Sequence, residues 1–233
     1  RDALQRAVHG NLLALVFARM RHLGRANTRR GSRRNIVAHY DLGNEFYGLW
    51  LDGSMTYSSA LYEGDTRRDL ETAQLAKYQR ISRVMGLSAD DSVIEIGCGW
   101  GGFAEVAAQR AGARVHGVTL SPAQLAWARQ RAERGGYADR ATCELRDYRD
   151  LRGKASHIVS IEMLEAVGER WWPTYFAKLN GLLTVGGEAV VQTISIADDL
   201  FPRYRKGTDF IQQYVFPGGM LPSPSVFVDR AQR

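Results

Sequence analysis

Ser92-Val93-Ile94-Glu95-Ile96-Gly97-Cys98-Gly99-Trp100-Gly101-Gly102 decides the architecture. Five residues rich in β-branched side chains read as a short buried strand, and four glycines among the next six form a tight turn. Phe103 to Ala111 is alanine-rich and reads as the helix that follows. Working outward, Val115 to Val118 is a second strand, and Pro122 to Arg134 a second helix with proline early in its first turn. Ala141 to Leu145, His157 to Ile161 and Glu188 to Thr193 supply three more strands. Helices fit Arg68 to Met85 upstream and Val226 to Arg233 at the end. Strands alternating with helices imply an α/β fold, a mostly parallel sheet covered on both faces. Ligands of such sheets bind at the carboxyl ends of the strands. There is no internal repeat and no low-complexity tract.

The glycine turn points to a class of ligand. Gly97, Gly99 and Gly102 match the bare GxGxxG spacing of dinucleotide sites. Such a site also wants an acid at the end of the second strand for the ribose hydroxyls. That end reads Gly117-Val118-Thr119-Leu120-Ser121 and has none. Glu95, just before the turn, would repel a pyrophosphate. A carboxylate there suits an amine-bearing cation without phosphate, and S-adenosylmethionine is such a ligand.

The chain has 233 residues, 45% apolar and 24% charged, enough for one sizeable globular core. Its two cysteines, Cys98 and Cys143, exclude a disulfide scaffold and a cysteine-rich zinc site, and read as two lone buried thiols. No HExxH or His/Cys cluster is present, so no metal site is expected. No apolar run reaches the ~18 residues of a membrane span. The start lacks an initiating methionine and a cleavage signature, so it is not a signal peptide. Both ends look cut, and a longer parent protein is expected. Residues 1–34 hold nine Lys/Arg against one acid, while residues 35–233 hold 22 against 24, so the net charge of +6 is a local feature. Leu12 to Leu23 reads as a helix with a broad apolar face, and Ala26 to Asn35 as a polar, basic linker. Together they suit an amphipathic arm at an anionic membrane, an ordinary interdomain helix or a solvated linker. Residues 36–62 are dense in aromatics (Tyr40, Phe46, Tyr47, Trp50, Tyr57, Tyr62), which suits a segment folded over a ligand or packed on a core.

Seven segments carry a more specific resemblance. They are His39-Tyr40-Asp41-Leu42-Gly43-Asn44, Met55-Thr56-Tyr57-Ser58-Ser59-Ala60, Glu95 to Gly102, Gly117 to Gln124, Asp147-Tyr148-Arg149-Asp150, Ser160 to Gly168, and Phe216-Pro217-Gly218-Gly219-Met220-Leu221-Pro222-Ser223. In this order, from about residue 34 to 225, they resemble the cyclopropane-fatty-acyl-phospholipid synthase family of S-adenosylmethionine-dependent enzymes. The family includes the methylases that make 10-methylene and 10-methyl fatty acids of the tuberculostearic type. The resemblance implies a Rossmann-like methyltransferase fold over residues 35–233, with residues 1–34 as the end of a preceding region and a further carboxyl-terminal part beyond Arg233. It implies that Tyr57, Ser58, Gly97 and Gly99 meet the methionine end of the cofactor, Thr119, Leu120 and Gln124 the ribose and adenosine, and Asp147 the adenine amino group.

The family reaction moves a methyl cation equivalent from sulfonium to a cis double bond of a phospholipid acyl chain. Such a site must stabilise positive charge, provide a base and exclude water. By resemblance Glu165 is the catalytic carboxylate, helping to hold a bicarbonate ion that serves as the base. Glu162, three residues earlier, could share its helix face and is read as structural. Ser59 stands where many cyclopropane synthases have cysteine, and Gln192 where the family has a histidine before Thr193-Ile194. Both belong to the implied bicarbonate site. They can donate to an anion but reproduce neither the sulfur nor the imidazole. The Ser–Gln pattern resembles the methylene-forming branch, which implies a 10-methylene product, with cyclopropane formation as the alternative. His39, Tyr40, Ile194, Phe210, Tyr214 and Phe216 are expected to line the acyl path or position substrate, with a structural histidine as the alternative for His39. The expected partners are an unsaturated phospholipid, a transiently touched membrane surface at the inner, cytoplasmic face, and a flavin- or nicotinamide-dependent reductase that completes the methyl branch. A homo-oligomer is left open and nucleic acid is not expected, since residues 19–34 lack the aromatics of a stacking platform. A methyltransferase of soluble small molecules shares the glycine turn but leaves the His39–Asn44 and Phe216–Ser223 segments unexplained.

Overall fold

The computed structural model describes residues 27–40 and 42–232. Five strands form one sheet: β1 (Ser92–Ile96), β2 (Arg114–Thr119), β3 (Ala141–Leu145), β4 (Ala155–Ile161) and β5 (Leu183–Gln192). Their order is β3-β2-β1-β4-β5, and every neighbouring pair runs parallel. Alternation along β1 sets the two faces. Val93 packs with Tyr78, Ile81 and Phe103 on one side, while Ile94 and Ile96 pack with Trp172, Tyr175 and Leu179 on the other. The first face carries α3 (Leu70–Val84), α4 (Gly102–Val106) and α5 (Pro122–Arg134), and the second carries α6 (Trp172–Leu182). Strand order reverses between β1 and β4, which opens a crevice above their carboxyl ends.

The α/β reading and the five strands hold, with two corrections. The Ala26–Asn35 stretch expected as a linker is helical from Arg29, within α1 (Arg29–Tyr40). The Thr28 hydroxyl accepts from the Gly31 amide at 3.1 Å and caps that helix. Its inward side buries Gly31 and Asn35 rather than an apolar stripe, so hydrophobic periodicity could not reveal it. β5 begins five residues earlier than expected. Gly186-Gly187 reads as a turn, but the strand passes through a register shift opposite Ala155–His157 and continues. The amphipathic helix expected over Leu12–Leu23 lies outside the described residues. A short helix α2 (Gly43–Gly48) follows α1, while α7 (Phe201–Lys206) and α8 (Pro224–Gln232) follow β5.

Candidate active site

The crevice is a cavity floored by the carboxyl ends of β1, β2 and β4. At its floor Gly97 has φ +82° and Gly99 φ +53°, values that side-chain-bearing residues rarely adopt. A Cβ on Gly97 would come within 2.9 Å of Met163 Cγ. One on Gly99 would meet no protein atom within 4 Å, so the space above it is open cavity. This is a cradle on which a ligand can lie directly against backbone. Glu95 lines the same floor, is 3% exposed, and its Oε2 has no hydrogen-bond partner. Burial raises its carboxyl well above the ordinary range, with the Cys143 thiol adding to the effect. An ammonium group brought into the cavity would offset that burial. Both cysteines are free and buried.

Thr119, Leu120, Gln124 and Asp147 form the neighbouring wall, and Tyr57 and Ser58 face them. Thr119 Oγ1 donates to Gln124 Oε1 at 2.7 Å. The Asp147 carboxylate is clasped by Arg149, Nε to Oδ1 at 2.8 Å and Nη2 to Oδ2 at 2.6 Å. Arg149 also donates to the Asn27 carbonyl and Ser32 Oγ, each at 3.1 Å, and so ties α1 to this wall. Asn27 Nδ2 donates to the Gly218 carbonyl at 2.9 Å, and Asn35 Nδ2 to that of Pro217 at 3.1 Å. α1 and the Phe216–Ser223 loop are thereby laced together as a cover. Beneath it Tyr40, Tyr57 and Phe216 line the cavity. His39 packs behind them, its ring 4.5 Å from Phe216 and 5.7 Å from Tyr57. Its imidazole pKa is lowered by burial.

The expected catalytic residues meet at the β4–β5 end, in an unexpected arrangement. Glu162 and Glu165 share no helix face. Glu162 follows β4 directly, with φ +49°, and Glu165 sits in the single 3-10 turn Leu164–Ala166. Ser59 donates to Glu162 Oε1 through its amide at 2.9 Å and its hydroxyl at 2.5 Å, and Gln192 Nε2 adds a third bond at 2.9 Å. Glu162 lines the cavity and Glu165 does not. Glu165 is buried, and its Oε1 accepts from Thr193 Oγ1 at 2.8 Å and from the Ile194 amide. Burial raises its carboxyl pKa. Ser59 and Gln192 thus meet Glu162, the residue that sequence reasoning set aside. Phe210 and Tyr214 do not line the cavity. They are 68% and 64% exposed and lie against each other at 5.1 Å, because the turn that carries them turns Gln212 inward. Ile194 is half exposed and reaches the site through its amide.

Sequence reasoning also missed Lys77. This lysine of α3 is 4% exposed and donates to Ser58 Oγ and, at 2.6 Å, to Gln74 Oε1. Burial lowers its pKa to about 8, against the opposing pull of Glu162 and Asp52. A lysine on the inward side of an amphipathic helix was the available signal.

The model of the mycolic acid cyclopropane synthetase family matches residues 27–233. The chain belongs to that family. It is 41% identical over 209 residues to the tuberculostearic acid methyltransferase UfaA1 of Mycobacterium tuberculosis, covering 87% of this chain and 49% of that protein. It is 38% identical over 190 residues to the cyclopropane-fatty-acyl-phospholipid synthase of Escherichia coli K12, covering 79% and 46%. The chain therefore spans about half the length of these curated relatives. The crystal structure of mycolic acid cyclopropane synthase CmaA1 complexed with SAH and CTAB superposes with a TM-score of 0.78 at 29% identity, over 86% of this chain and 73% of that one. The fold is the Rossmann-like one of S-adenosylmethionine-dependent methyltransferases.

Proposed function

We propose that this chain is the cofactor-binding and catalytic portion of a methyltransferase that acts on the cis double bond of an unsaturated acyl chain in a phospholipid, giving a 10-methylene chain. The observation that carries this reading is the single cavity that joins the Gly97–Gly99 cradle to the carboxylate of Glu162. The residues present suit S-adenosylmethionine. Gly99 leaves room against backbone, the buried Glu95 carboxylate fits an α-amino group, and Thr119, Gln124 and Asp147 offer oxygens to ribose hydroxyls and an adenine amino group. When bound, this cofactor supplies an electrophilic methyl group. The chain's own residues supply the surroundings. Tyr40, Tyr57 and Phe216 wall the cavity with aromatic faces that favour positive charge, and α1, bonded to the Phe216–Ser223 loop, covers it.

Similarity to the tuberculostearic acid methyltransferase, together with Ser59 and Gln192 in place of cysteine and histidine, supports methylene formation over ring closure. A methylene product then requires a separate reductase to become a methyl branch. Among the described residues no helix is long and apolar enough to cross a membrane. Exposed Leu200, Phe210 and Ile211 offer apolar contact to a lipid surface. The test is incubation of the full-length protein with methyl-labelled S-adenosylmethionine and oleoyl phospholipids, followed by proton NMR of the fatty esters. Vinylidene protons are expected. Upfield ring protons would make the enzyme a cyclopropane synthase, and no incorporation would overturn the lipid reading.

A further inference from the structure

We propose that Glu162 is the proton acceptor of this reaction, a carboxylate built into the chain where the family resemblance calls for a diffusible bicarbonate. The inference rests on the methyl transfer proposed above. Three carboxylates line the cavity: Glu95, Asp147 and Glu162. Asp147 is neutralised by the Arg149 clasp, and Glu95 lies buried at the cradle. Glu162 differs from both. Its three hydrogen-bond donors, two from Ser59 and one from Gln192, are uncharged groups, and the nearby Lys77, which feels its charge, donates to Ser58 and Gln74 instead of to this carboxylate. All three fall on Oε1, so Oε2 is the oxygen outside that set. The left-handed backbone at Glu162 is a conformation retained where the aim of a side chain matters. Ser59 and Gln192, the donors of the implied anion site, are thus spent on Glu162, while Glu165 Oε1 is held by the Ile194 amide and the Thr193 hydroxyl. An anion placed between Glu162 and Glu165 would face two carboxylates.

The chemistry balances. Methylation of the olefin leaves the methyl on one carbon and a cation on its neighbour. A 1,2-hydride shift brings the cation to the methyl-bearing carbon. The electron pair of a methyl C–H bond becomes the exocyclic C=CH2 bond as the proton passes to Glu162. Without the shift, the same electron pair closes a cyclopropane and the same proton leaves. The positive charge that arrived as sulfonium departs as that proton.

Glu162→Gln keeps the size and the acceptor oxygen for Ser59. In the full-length protein it should bind S-adenosylhomocysteine within about twofold of wild type by calorimetry, while turnover falls at least ~100-fold. Wild-type turnover should be unchanged in buffer purged of bicarbonate, and Glu162→Gly should regain turnover with added formate. Glu162→Asp, which withdraws the carboxylate by one methylene, should keep more turnover than Glu162→Gln. Half of wild-type turnover in Glu162→Gln overturns the assignment, as does a wild-type rate that falls on purging and returns with bicarbonate. An equal loss in the Asp and Gln variants with a lowered Tm makes the residue structural and also overturns it. A wild type that binds S-adenosylhomocysteine but methylates no olefinic chain overturns the functional reading instead, and the role of Glu162 with it.

Discussion

The two ends of the cavity are built in opposite ways. The cradle end is floored by backbone, with Gly97 and Gly99 in one turn, and Thr119 to Gln124 run from the last residue of β2 beside it. The β4–β5 end is made of side chains from Ser59, Glu162 and Gln192, whose bonds span 103, 133 and 30 positions of sequence. A backbone cradle shapes a ligand site by what it leaves out. A side-chain cluster acts through charge and protons, and each member can be exchanged without disturbing the strand that holds it. Changes at the cradle should therefore act on binding, and changes at the cluster on turnover.

The largest effect should come from Gly97→Val. The positive φ and the approach to Met163 predict about 3 kcal/mol of lost stability in urea denaturation, with binding of S-adenosylhomocysteine lost as well. Next is Glu165→Gln. This residue holds the Thr193–Ile194 backbone beside Gln192, so turnover should fall about tenfold with S-adenosylhomocysteine affinity kept. An equal loss of affinity would erase the contrast between the two ends. Glu95→Gln should weaken S-adenosylhomocysteine about tenfold, read by calorimetry, and raise stability because a buried carboxyl is removed. The Lys77 effect is read as a slope against pH. Its folded pKa of about 8 lies below its ordinary 10.5, so the unfolded chain holds a proton that the folded chain has shed between those values. From this group stability rises with pH across that window, by at most ~1.4 kcal/mol per pH unit. Lys77→Met should flatten that rise in denaturation curves taken from pH 7.5 to 9.5.

The same contrast explains what the sequence disclosed. The strands and the cradle were legible because periodicity and glycine spacing are local signals. Tyr57, Ser58, Thr119, Leu120, Gln124 and Asp147 were singled out from motif resemblance, and all line the cavity. α1 was missed because its inward side is polar, with Asn35 bonded across to Pro217. Glu162 was set aside because it was read on a helix face shared with Glu165, whereas β4 ends at Ile161 and is followed by a left-handed residue and a single 3-10 turn. A countable signal was present nonetheless. Two acids fall within four residues, beside two neutral substitutions at an anion site.

The bond from Asn27 to Gly218 joins residues 191 positions apart. Closing so long a loop costs chain entropy that nearby contacts do not pay. The cover therefore belongs among the late events of folding, after the parallel strands between its two halves have paired. A nascent chain released only as far as β5 has the glycine cradle and α1 but not the loop that α1 is laced to. Ligand rescue of folding should act on the last step of maturation, and an early-folding core should owe nothing to the cofactor.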